Sequence, residues 1–270
     1  MITAPCPPVP ILMYHEIAQP PQTGSHLAVP PGAFAAQLGY LHDAGFQTVT
    51  AGTLAEIMNG GAGRLPDQAV VLTFDDGFED FHRRALPLLI RYGFTASLYV
   101  TTGWVQDAGP QSAGRRPARM LAWSQISEAA GAGIEIGAHS RQHPQLDQLS
   151  RAALREELRV SKAQLEDRLG VPVPGLAYPF GYSSAAVREE AREAGHGYAC
   201  AVGNTLPGPR SDPLALPRLT VRRSTSMQAF QQFTRGRNVP VIFLKDRALT
   251  RGYAMVRRTR AAVGGVRGGD

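Results

Sequence analysis

The run Val70-Val71-Leu72-Thr73-Phe74-Asp75-Asp76-Gly77 constrains this chain more than any other stretch. Four apolar or β-branched residues lead into Phe74, and two carboxylates and a glycine end the run. That is the signature of a buried strand of a parallel sheet, closed by a turn. Successive residues of a strand point to opposite faces. Adjacent aspartates therefore serve one site only where the strand stops, and Gly77 lets the chain turn there. Turn and helix-capping chemistry alone would also place Asp at such a position, so the run needs support from elsewhere in the chain.

The rest of the chain repeats the same alternation. A short apolar strand, Ile11 to His15, puts Ile11, Met13 and His15 on one face. Helical spacing follows at Phe34, Leu38 and Leu41, with Gly45 as the stop. Further strands are expected at Gln47–Thr50, Thr95–Val100, Ile134–Gly137, Gly175–Pro179, Tyr198–Val202 and Leu219–Val221. Helical segments lie between most of them, the longest from about Arg151 to Leu169. Seven or eight strands alternating with helices predict a parallel α/β architecture, and an open sheet and a closed barrel both satisfy the pattern. No composition break precedes residue 235, so residues 1–234 read as one catalytic domain. Residues 235–270 hold nine Lys or Arg and two acids, a local charge of +7 against +6 for the whole chain. They read as a basic C-terminal extension on a nearly neutral body.

Several chemically capable side chains fall just after predicted strands. His139 and His143 follow strand 134–137, and a four-residue spacing on a helical turn would aim both at a single ion. Asp76 ends strand 70–74. In a parallel barrel the C-terminal strand ends converge on one rim. A set of two His and one carboxylate there suits a catalytic metal with open positions. Asp75 is then left beside the metal as a candidate general base. Tyr178-Pro179-Phe180-Gly181-Tyr182 ends another strand, and a backbone N–H of this loop is a candidate oxyanion donor. A loop of aromatic residues packed on the core fits that segment equally well. His15, also at a strand end, is a candidate general acid.

These motifs, taken together, resemble the polysaccharide deacetylases, the family-four carbohydrate esterases. Thr73-Phe74-Asp75-Asp76-Gly77 is similar to the family's first motif, His139-Ser140-x-x-His143 to its second, and Tyr178-Pro179-Phe180-Gly181 to its third. The resemblance implies a distorted (β/α) barrel of about seven parallel strands and one divalent metal, commonly zinc. It assigns Asp75 as catalytic base, Asp76, His139 and His143 as metal ligands, and the Phe180 backbone N–H as oxyanion donor. Two departures stand out. Ala177 occupies the place of the third motif's Arg, for which Arg218 and Arg222 are candidate substitutes. No His follows His196, so the late Leu-x-His motif is absent. Leu12-Met13-Tyr14-His15 resembles the arrangement in biofilm poly-N-acetylglucosamine deacetylases, which makes His15 the candidate acid.

The expected activity is metal-dependent removal of the N-acetyl group from an amino-sugar-containing glycan or glycan precursor. An O-acetyl ester or a small cyclic amide as substrate, and a catalytically silent carbohydrate-binding protein, are the competing readings. No nucleic-acid partner is expected. The first Lys or Arg is Arg64, so no secretory leader with a basic start is read and the expected location is cytoplasmic. Cys6 and Cys200 are expected as free thiols. The basic, partly apolar tail is a candidate for weak contact with an anionic membrane surface.

Overall fold

In a computed structural model, which describes residues 9–250 and 252–253, strand alternation sorts side chains into two cores. Strand β3 (Ala69–Phe74) is buried along its whole length. Val70, Leu72 and Phe74 face the surrounding helices, while Val71 belongs to a separate interior cluster with Ile11, Tyr99, Ala177, Cys200 and Leu216. The interior residues come from strands β1 (Ile11–Tyr14), β4 (Ser97–Val100), β6 (Gly175–Ala177), β7 (Tyr198–Val202) and β8 (Leu216–Thr220). With β5 (Glu135–Ala138), these strands pair in parallel in the order β1-β8-β7-β6-β5-β4-β3. Pairing of β1 with β3, Ile11 opposite Val71 through Tyr14 opposite Phe74, closes the ring. The fold is thus a seven-stranded parallel barrel. The short strand β2 (Gln47–Val49) adds to the first half of β3 from outside the ring.

Helices α1 (Pro31–Asp43), α3 (Leu86–Tyr92), α4 (Trp123–Gly131), α5 (Arg151–Leu169), α6 (Ala185–Glu193) and α7 (Met227–Thr234) surround the barrel. The larger core lies between them and the strands. Helix α2 (Ala51–Met58) has a different place. Its Leu54 and Ala55 join the interior cluster. At its N-terminus, the Ala51 N–H donates to Ser97 Oγ (2.9 Å) and the Gly52 N–H to Glu135 Oε2 (3.2 Å). Ser97 and Glu135 begin β4 and β5, so α2 plugs the mouth at the strands' N-terminal ends. Chemistry is left to the opposite mouth, as in parallel barrels generally.

Two local expectations change. Residues 139–143 do not form a helical turn: Ser140 and His143 both take a φ of 60°, a region that interrupts any helix. The last strand runs Leu216–Thr220, three residues earlier than the apolar run 219–221 suggested. A short helix α8 (Val239–Ile242) and a further helical stretch after it lie against the barrel. Phe243 is buried on the Phe233 ring, with centroids 5.4 Å apart. Cys200 is free and buried, and burial pushes its thiol up to about 11. Cys6 and the basic residues Arg251 and Arg257 onward lie outside the described residues. Among those described, no helix is long and apolar enough to cross a membrane.

Candidate active site

The interior face of β3 continues past the strand: Val71, Thr73 and Asp75 succeed one another toward the open mouth. The Asp75 N–H still pairs with Tyr14 O at 3.0 Å, so its backbone remains in the barrel wall. Asp76 and Gly77 then take left-handed backbone, φ 75° and 85°. Asp tolerates that region better than most residues and Gly is at home in it. The turn lets two neighbouring carboxylates reach the same mouth.

Opposite, β8 directs Leu216, Arg218 and Thr220 inward by the same alternation. Arg218 is fully buried and grips Asp75 with two bonds, Nη1 to Oδ1 at 2.6 Å and Nη2 to Oδ2 at 2.7 Å. Nη1 also donates to Thr73 Oγ1 at 3.1 Å, and the guanidinium lies 5.7 Å from the Tyr99 ring centroid. Burial alone would raise the Asp75 pKa, but the Arg218 and His139 charges hold it below the ordinary carboxylate value. Asp75 is therefore an ionised, oriented carboxylate. Of the two arginines named as substitutes for the missing motif Arg, Arg218 makes the contact. Arg222 instead pairs with Asp246 at 2.7 Å.

His15 Nε2 stands 3.9 Å from Asp75 Oδ2. Burial lowers its pKa, with Asp75 and Asp76 opposing that shift only in part. An imidazolium there would surrender its proton readily.

Asp76, His139 and His143 offer ligand atoms that all lie within 4.8 Å of one another. Asp76 Oδ1 is 3.3 Å from His139 Nε2 and 3.2 Å from His143 Nε2, yet it is buried without a well-formed hydrogen bond. His139 Nδ1 donates to Ala177 O at 2.8 Å, so Nε2 is the nitrogen that turns to Asp76 and, once deprotonated, would offer its lone pair to a cation. Such a partner behind a ligating histidine is what a metal site requires. Burial would raise the Asp76 pKa, but the two histidines hold it well below the usual range. An orphaned carboxylate oxygen and two convergent imidazoles fit one small divalent cation.

The His139–His143 loop is held from outside its own sequence. Glu157, on the buried face of α5 with Leu154 and Leu158, accepts the Arg141 and Gln142 N–H groups at 2.9 and 2.8 Å. Thr101 Oγ1 donates to His139 O, and the Gly103 N–H donates to Arg141 O. The His143 ring stacks on Trp104 with centroids 5.0 Å apart and meets the Phe180 ring edge-on at 4.7 Å. Sequence reasoning missed Glu157 and Trp104, although an acid on the apolar stripe of a helix is a legible signal. Phe180 itself takes a φ of 59° in the turn Pro179–Gly181 and is about half exposed on the rim.

Two cavities, of about 260 and 280 Å³, meet at this mouth. His15, Leu27 and Phe180 line both. Asp75 and His139 face the first, and Asp76, His143 and Trp104 face the second. The result is a cleft running across the barrel mouth, with the titratable groups at its waist.

Residues 62–199 match the model of the polysaccharide deacetylase family. Over 225 residues the chain is 31% identical to YxkH of Bacillus subtilis (strain 168), a protein classed with the polysaccharide deacetylases; the match covers 82% of this chain and 74% of that one. It is 22% identical over 258 residues to the poly-β-1,6-N-acetyl-D-glucosamine N-deacetylase of Escherichia coli (strain K12). That match covers 82% of this chain but only 38% of the longer protein. The fold is similar to that of the Streptococcus pyogenes deacetylase PplD, solved in complex with acetate, with a TM-score of 0.75 and 24% identity. That likeness covers 85% of this chain and 98% of the other.

Proposed function

The chain belongs to the polysaccharide deacetylase family, and from that premise we propose that it hydrolyses the N-acetyl group of an amino-sugar polymer. The observation that carries the reading is an Arg-clamped, ionised Asp75 with His15 3.9 Å away, beside the Asp76, His139 and His143 cluster. A base, an acid and a cation pocket at the waist of one open cleft suit amide hydrolysis on a chain that enters and leaves. A polymer of β-1,6-linked N-acetylglucosamine is the substrate to try first, given the name of the Escherichia coli relative.

Asp76, His139 and His143 would hold one divalent ion, with zinc the first candidate. When bound, such an ion supplies Lewis acidity to the acetyl carbonyl and acidity to a nearby water. Asp75 is placed to take a proton from an attacking water as the water's oxygen bonds to the carbonyl carbon. The Phe180 N–H is assigned to the oxygen that becomes negative. As the C–N bond breaks, imidazolium His15 gives its proton to the departing nitrogen, leaving an amine and acetic acid, which ionises to acetate. Asp75 then returns its proton to His15 across their short gap. Arg218 acts through Asp75 by holding both its oxygens, so it is a positioning residue.

Acetate release from N-acetylated and O-acetylated oligosaccharides, with and without a chelator, tests the reading. Release from the N-acetylated set, lost on chelation, is the expected outcome. Release from esters alone would move the activity to O-acetyl hydrolysis. Binding without release would leave a carbohydrate-binding protein.

A further inference from the structure

The cavity that holds Asp75 and His15 has a wall unrelated to any catalytic motif. Asp246, Leu249, Thr250 and Tyr253, all from the C-terminal segment, line it. This segment is anchored at two points. Val239 and Phe243 are buried against the barrel's helices, and Asp246 pairs with Arg222, four residues past Arg218 on the same length of chain. One stretch of backbone therefore clamps the catalytic carboxylate and latches this wall beside it.

Past the latch, the segment presents apolar surface to the cleft. Leu249 and Tyr253 are 59% and 58% exposed. Phe180 and Tyr182 line the same cavity from the β6 side, with rings stacked at 6.1 Å. Asn204 and Arg222 line the cavity as well, with Asn204 Oδ1 accepting the Thr220 N–H and Arg222 Nη1 on Asp246. Large apolar groups left open beside polar ones define a site for a ligand with the same division. A pyranose ring has it: an apolar C–H face for an aromatic ring, and a hydroxyl edge for amide and guanidinium groups.

We infer that Val239 to Thr250, together with Tyr253, forms a sugar-binding wall that holds the residue next to the one being deacetylated. Tyr253 and Leu249 supply its apolar face. The inference takes the identity of its ligand, a hexosamine chain, from the proposed reaction, but the site is read from the cavity. It assigns substrate length preference to a segment outside the family-matched residues 62–199.

The test uses the full chain and a short β-1,6-linked N-acetylglucosamine oligosaccharide. Calorimetric titration measures affinity for wild type, Tyr253→Ala, Tyr253→Phe, Leu249→Ala and Asp246→Ala. Tyr253→Ala is expected to bind about tenfold more weakly, the scale of one lost stacking contact. Tyr253→Phe is expected to restore most of that loss, which a general structural defect would not allow. Asp246→Ala, which frees the latch, should weaken binding in the same direction. In turnover, the Tyr253→Ala loss on the oligosaccharide should exceed its loss on a small aryl acetate by a similar factor. Wild type that binds without releasing acetate would remove the proposed reaction while the affinity ratio still decides on the wall. Equal affinity in wild type, Tyr253→Ala and Leu249→Ala, or no binding by wild type, overturns the wall.

Discussion

Two regions build the site in different ways. Residues 62–199 carry Asp75, Asp76, His139, His143 and Phe180 in short motifs at strand ends. The flanks carry His15 just after β1, and Arg218 and Arg222 on and just after β8, with no motif around the arginines. In the first region the motifs mark the residues from their neighbours in sequence, although Glu157 and Thr101 hold the His139–His143 loop from other elements. In the second, each residue's position follows from barrel closure, which sets β1 between β3 and β8. Motifs thus mark where a site lies, and closure decides which distant charges complete it.

Removing the clamp should have the largest effect. Arg218→Ala leaves Asp75 buried and unpaired, a change that costs about 3–5 kcal/mol in comparable buried pairs. Denaturant unfolding should register it, and any folded remainder should be nearly inactive. The double variant Arg218→Ala with Asp75→Asn should be less destabilised than Arg218→Ala alone, because no orphaned charge remains. If Arg222→Ala were the more damaging change, the flank would have been assigned its roles in reverse.

His15→Asn comes next. It should keep the fold and lower kcat on the N-acetylated oligosaccharide by about 10²-fold or more, the low end for general acid–base catalysis. A rate within a few-fold of wild type would confine the chemistry to the motif-bearing region.

His196 sharpens the comparison from the other side, since it lies within the family-matched region but in no motif. Burial, reinforced by Lys162, lowers its pKa to about 4, against about 6.5 in an unfolded chain. Between those values the unfolded state binds more protons, so stability is complete above pH 6.5 and is lost as pH falls toward 4. The span corresponds to about 3 kcal/mol. His196→Asn should flatten that limb of the stability curve while leaving the alkaline side in place.

The smallest expected effect concerns the basic end of the chain. Four of the seven large apolar side chains exposed among the described residues, Val241, Leu244, Leu249 and Tyr253, lie in this segment. We propose weak, salt-sensitive attachment to anionic lipid. Co-sedimentation with anionic vesicles at low salt, lost at high salt and on deleting residues 254–270, is the outcome that supports it. Unchanged binding after the deletion would remove residues 254–270 from the account.

The contrast between the regions also explains what could be read from sequence. Val70 to Gly77 announces its strand, its turn and its two carboxylates within eight residues, because periodicity and turn chemistry are local. Strand–helix alternation gave a parallel α/β fold but left sheet and barrel open, since closure rests on pairing Ile11–Tyr14 with Val71–Phe74, sixty residues away. The Arg218–Asp75 contact spans 143 residues; sequence alone supplied two candidate arginines and no means of choosing. The helical turn expected for His139–His143 does not form. Residues 140 and 143 adopt left-handed backbone, with Glu157 and Thr101 holding the loop from other elements.

Metal content and turnover measured on one preparation test the central claim most directly. The account predicts about one divalent ion per chain, lost in His139→Ala, and acetate release from the N-acetylated oligosaccharide that stops on chelation and returns with added metal. Full acetate release from metal-free protein, or equal metal content in wild type and His139→Ala, would contradict it.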